Sequence, residues 1–205
     1  MPAQVKANAK IIIQAAEQLI WQHGYQKVRI ADIARDLGMS RASVYRFFGS
    51  KEELRRTIFR DILDGNYSTA LSIAKLSGDA ASRIRRYLQK QYLTTIDLAD
   101  NHRAIYDLIV LSLDRDHDLV KRHIVRIRNV LATVIADGID RGEFVPQNPR
   151  RTSRIFIMAT AKVWHPKLIS NQRVRHKEAQ IHNILDFALN GLRPAGRISH
   201  EVVDD

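Results

Sequence analysis

The stretch from Asp32 to Lys51, DIARDLGMSRASVYRFFGSK, leaves few conformations open. Ile33, Ala34 and Leu37 fall on one helical face. Gly38, four residues past Ala34, can take the positive φ that ends a helix without a Cβ clash. Ser40 is placed to accept the free N–H groups at the head of a second short helix, and Ala34 is small where two helices must come close. In that second helix Val44 and Phe48 are four apart and share an inward face, whereas Ala42, Ser43, Arg46 and Phe47 form an adjacent outward stripe of small, basic and aromatic groups. Gly49 closes it, and Ser50-Lys51-Glu52-Glu53 has capping-box spacing, so a further helix starts at once. The pattern predicts a helix-turn-helix in which Arg41 to Phe48 is the helix that enters a DNA groove.

The rest of the chain agrees with a basic, all-helical protein. Its 205 residues carry a formal net charge of +11, and about half of that excess lies in the residues up to and including Arg60, which favours a polyanionic partner, nucleic acid ahead of membrane. There is no cysteine, which excludes disulfides, thiol catalysis and thiolate metal sites. No apolar run approaches the roughly 18 residues of a membrane span and the N-terminus lacks a signal-peptide core, so a cytoplasmic protein with no membrane partner is expected. Ile12, Ala15, Ala16, Leu19 and Ile20 have helical spacing up to Gly24, which supplies the first helix of a three-helix head.

The string IIIQAAEQLIWQHGYQKVRIADIARDLGMSRASVYRFFGSKEEL resembles the DNA-binding head of TetR-family transcriptional regulators. The features that carry this are an Ala-Ala pair in helix one, Gly-Tyr at its end, Asp-Ile-Ala, Gly-Met-Ser, Val-Tyr-Arg-Phe-Phe and Gly-Ser-Lys-Glu, all in register over roughly residues 7–55. The resemblance implies a helical ligand-binding and dimerisation body and a two-fold dimer on a palindromic operator, with repression or activation relieved by a small molecule. It makes Tyr45 and Lys51 phosphate contacts and Arg41, Ala42, Ser43 and Arg46 the groove-facing set, with Ser40 at their head. Where the family has a pair of threonines before helix two, this chain has Val28 and Arg29; the hydroxyl cap is lost, and Arg29 takes over as a candidate phosphate contact. Phe47 replaces a polar residue or histidine and has two readings, a contact to sugar or thymine methyl and a member of the head's core. Tyr45 has the same second reading.

The expected organisation is a head over residues 1–50, a helical-bundle body over 51–192 and a disordered tail over 193–205. One helix should run from Lys51 past Gly65 to about Lys75 and join head to body, with Arg55, Arg56 and Arg60 on its solvated side. Further helices follow, one with Ile84, Tyr87, Leu88, Tyr92 and Leu93 on its apolar side, one over 104–113 and one over 119–139. Asp114-Arg115-Asp116-His117-Asp118 reads as an acidic loop and cap, because Leu119 and Val125 stand where a calcium loop requires Gly and Glu. The two last helices, about 153–164 and 179–192, have apolar faces left over that would pair with those of a second copy or close the monomer's own core. No metal or cofactor site and no catalytic motif is expected, which sets an enzyme aside. Tyr67, Tyr92, Tyr106, Phe156, Trp164 and His165 are candidates to line an effector cavity, with ordinary core packing as the competing reading. The leading function is a ligand-responsive, dimeric repressor, and its rival is a DNA-bound adaptor whose body grips another protein.

Overall fold

The computed structural model describes residues 3–170 and 178–194. Among them there are only helices: α1 (Ala3–His23), α2 (Ile30–Asp36), α3 (Arg41–Phe47), α4 (Lys51–Ala74), α5 (Ala80–Asn101), α6 (Arg103–Arg115), α7 (His117–Asp140), α8 (Pro149–Ala159), α9 (Ala161–Trp164), α10 (Pro166–Ser170) and α11 (Glu178–Asn190). The all-α expectation is met. The polar stretch over 172–175 and, of the expected tail, the part from residue 195 onward lie outside the described residues.

The described residues form two compact units, and none of the three crossings between them falls at residue 50. One takes in the residues up to Asn66 together with Ile96–His123; the other takes Tyr67–Thr95 and the residues from Ile124 on. Three short helices bury too little apolar surface to stand alone. In the first unit Ile12, Ile33 and Val44 of α1–α3 therefore share one core with Ile58 and Phe59 of α4 and Leu108 of α6. The second unit is built around Ile84 and Leu88 of α5, Leu131 and Ile135 of α7, Phe156 of α8 and Leu185 of α11. Gly138 permits a close approach there, since a Cβ on it would lie 2.5 Å from the Phe144 ring and 2.7 Å from Ala80 Cβ.

Three expectations are corrected. Arg55 is not on a solvated side: it is 3% exposed, and its guanidinium makes a two-pronged pair with Asp116 at 2.5 and 3.1 Å and donates to Ser112 Oγ at 2.5 Å. Arg56 joins it, donating to Asp116 at 3.0 Å and to Asp118 at 2.5 Å. The stretch around Asp116 is accordingly no acidic loop. Asp116 is the single residue between α6 and α7, and it is buried because two arginines 60 and 61 positions earlier reach it. Finally, the helix expected over 153–164 starts at Pro149, capped by Asn148 Oδ1, which accepts from Arg151 N at 3.0 Å, and it breaks at Thr160. Pro166 does not simply stop it. His165 before the proline is extended, as pre-proline residues prefer, and Pro166 then opens α10.

Candidate nucleic-acid interface

The predicted turn forms as its residues dictate. At the head of α2, Asp32 at the third helical position accepts from Arg29 N at 3.0 Å, which is the acidic half of a capping box; the hydroxyl half has no counterpart, since the Arg29 side chain makes no cap hydrogen bond. The helix ends at Leu37, Gly38 takes φ +61°, and Met39 N donates back to Ala34 O at 2.8 Å. Ser40 then caps α3, its Oγ accepting from Ser43 N at 3.1 Å.

Val44 is fully buried and Phe48, just past the helix, nearly so; these two anchor α3 to the first unit's core. The helix exposes Arg41, Ala42, Tyr45 and Arg46, with Tyr45 48% accessible. Ser40, Ser43 and Arg46 are linked in a row: the two hydroxyls are 2.9 Å apart, and Arg46 Nη2 donates to Ser43 Oγ at 3.4 Å. This holds the arginine's stem along the helix while leaving its remaining donors free. Phe47 is half-buried and packs against the core, so the core-packing reading describes at least part of its surface.

Flanking cations complete the surface. Arg29 is exposed at the head of α2. Lys51, the first residue of α4, is tied down: its Nζ donates to Gln26 O at 3.3 Å and sits 4.3 Å from the centre of the Tyr25 ring. Burial lowers its pKa from the ordinary lysine value, helped by the nearby Arg29 charge and opposed by Glu52. The α4 cap uses Ser50 Oγ, which accepts from Glu53 N at 3.0 Å, but the Glu53 carboxylate reaches past Ser50 and accepts from Gly49 N at 2.8 Å. A face with exposed Arg41, Arg46, Tyr45 and small Ala42 has the groups that hydrogen-bond base edges and phosphates and admit close approach to a groove.

The six candidates for an effector cavity are not gathered in one place. Tyr106 is buried in the first unit, whereas Tyr67, Tyr92, Phe156, Trp164 and His165 belong to the second. The Arg126 guanidinium lies 3.8 Å above the Tyr67 ring, and Trp164 Nε1 donates to Ile157 O at 3.1 Å. Desolvation, with the Lys167 charge, lowers the His165 pKa. The second unit does contain an apolar cavity, lined by Ala70, Ile84, Tyr87, Leu88, Ile127 and Leu131 among others, and none of the six candidates lines it. At about 30 Å³ it is far smaller than a formed ligand pocket of roughly 300–1,000 Å³. Its lining comes from aliphatic residues at plain helical spacing, a pattern that sequence cannot separate from core.

Residues 12–58 match the family model of bacterial regulatory proteins of the tetR family, and residues 80–185 match the tetracyclin repressor-like C-terminal domain. An uncharacterized HTH-type transcriptional regulator of Bacillus subtilis is 28% identical over 72% of this chain and 73% of its own length. The fatty acid metabolism regulator protein of the same organism is 20% identical over 88% and 93%. Among solved structures, a transcriptional regulator from Cytophaga hutchinsonii superimposes with a TM-score of 0.72 at 20% identity, covering 90% of this chain and 98% of that one. A Saccharomonospora viridis regulator solved in complex with choline gives 0.70 at 20% identity, covering 92% and 99%.

Proposed function

Given that this chain belongs to the TetR family of DNA-binding transcriptional regulators, we propose that it acts as a homodimeric, effector-responsive repressor on a palindromic operator. The observation that carries this reading is α3 itself, anchored by Val44 and Phe48 and presenting Arg41, Ala42, Tyr45 and Arg46 to solvent. Arg41, Ala42, Ser43 and Arg46 are the base-reading set. Tyr45, Arg29 and Lys51 hold phosphates, Lys51 by exchanging its bond to Gln26 O for a phosphate oxygen. Ser40 positions the helix through its cap, and Phe47 offers an exposed edge to sugar.

Dimerisation is supported by apolar side chains that stand open on the late helices: Phe187 of α11 is 84% exposed, Met158 of α8 72% and Ile155 57%. A water-sized cavity in the second unit means that an effector must part α4, α5 and α7, whose residues line it. α4 also carries Lys51 at its other end, so such a movement would bias the reading helices between operator-competent and incompetent spacings. The same small cavity and open apolar face favour the adaptor as second reading, in which Phe187 and Met158 meet another protein.

Selection from a randomised duplex library at several salt concentrations tests the reading. The expected product is a near-palindrome whose half-sites are about one helical turn, roughly 34 Å, or a multiple of it apart. Sequence-independent binding that is lost at modest salt would overturn it and favour the adaptor.

A further inference from the structure

The first unit contains an open cleft of about 370 Å³ at the end of α1 and the α5–α6 corner, lined among others by Trp21, His23, Asn101, His102, Arg103 and Asp107. It is far larger than the apolar cavity of the second unit, and its walls are mixed. Trp21 leaves its indole 57% exposed in the cleft, which is unusual for the largest apolar side chain; one side meets the His102 ring, with centroids 4.3 Å apart and planes at 53°. His102 Nε2 is 3.5 Å from Asp97 Oδ2, but its Nδ1 is shielded from solvent and has no hydrogen-bond partner.

The cleft also gathers donors. His102 is the N-cap of the 13-residue α6 and provides no side-chain cap, so the N–H groups of Arg103 and Ala104 at the wall of the cleft have no acceptor within the helix. Arg103 uses its Nε on Asp107 at 2.9 Å, an exposed pair one helical turn apart that gives little energy and leaves the other guanidinium donors available. An open indole next to converging donors calls for a flat apolar body joined to an anion.

We infer that this cleft is a second effector site, taking a planar aromatic acid whose ring packs on Trp21 and whose carboxylate receives hydrogen bonds from Arg103 and the first turn of α6. A ligand there bridges α1, which packs against the reading motif through α2, and α6, whose far end holds the partner of Arg55. It is distinct from the cavity of the second unit, and its occupancy is measurable without any operator.

The test uses the full chain with 5-fluorotryptophan at its two tryptophans, the Trp21 resonance being assigned with Trp21→Phe. Benzoate and the neutral benzyl alcohol are titrated in turn and followed by fluorine NMR. Benzoate should shift the Trp21 signal saturably, benzyl alcohol should bind at least about tenfold more weakly, and Arg103→Ala, at an exposed position, should weaken benzoate by about tenfold. A Trp21 signal that does not saturate, that responds equally to the alcohol, or that is unaffected by Arg103→Ala would overturn the proposal.

Discussion

Arg46 and Arg55 are nine positions apart in a basic segment, and the fold uses them in opposite ways. Arg46 lies along the open side of α3 with only a long bond to Ser43; Arg55 is buried in α4 and spends one nitrogen on both Ser112 and Asp116 and another on Asp116. A charge in the open costs little to keep and is available to a partner. A charge in the core requires nearly all its donors to be satisfied and is available to nothing else. One arginine is therefore open to a partner; the other holds α4 to the α6–α7 corner.

The largest effect that should separate them is on stability. Arg55→Leu leaves Asp116 buried with Arg56 as its remaining partner and should cost the first unit about 3–5 kcal/mol in urea unfolding. Arg46→Ala should stay within about 0.5 kcal/mol of wild type. A small loss at Arg55 would erase the distinction. The pair should also show in acid. Burial pushes the Asp116 carboxyl up, but hydrogen bonds from Arg55 and Arg56 and their charges outweigh this and hold it below the usual carboxylate value. Its contribution is thus fully present above the unfolded value of about 3.9 and is lost as pH falls through the lower folded value. The stability gap between wild type and Asp116→Asn should be flat near neutrality and close below about pH 4; a gap that widens in acid would contradict the assignment.

On the DNA side the ranking should reverse. Arg46→Ala should cost about 1–3 kcal/mol of discrimination at the base it reads, measured as the preference between the selected site and its single-base variants. Lys51→Met should weaken all sequences alike and reduce the slope of log affinity against log salt by about one. Equal loss on every sequence for Arg46→Ala would move it to the phosphate class with Lys51. Smallest is Ser40→Ala, which removes the cap on Ser43 N and should cost about 1 kcal/mol of stability.

What could be read from sequence divides along the same line. The turn was legible because its determinants are local: Gly38, Ser40 and the Val44/Phe48 spacing act within a few residues of each other, and the structure places each as expected. The role of Arg55 was not, because its partner lies 61 positions away in a stretch that looks like an acidic loop by itself. Leu93 has core spacing on α5 but is exposed, and the helix breaks at Thr160, whose buried hydroxyl donates to Phe156 O at 2.8 Å inside a run with unbroken helical pattern. The expected boundary at residue 50 follows the motif, whereas the compact unit follows the core that α4 and α6 complete. The aromatic candidates for an effector cavity were chosen by residue type, and none of them lines the small apolar cavity of the second unit, whose lining is mostly aliphatic.

The most direct test of the account is to repeat the library selection with Arg46→Ala beside wild type, after confirming equal folding by urea unfolding. If α3 reads the operator, the variant should return the same half-site spacing with preference relaxed at symmetry-related positions, one in each half-site. An unchanged enriched sequence from a folded Arg46→Ala protein would contradict the claim that Arg46 reads bases.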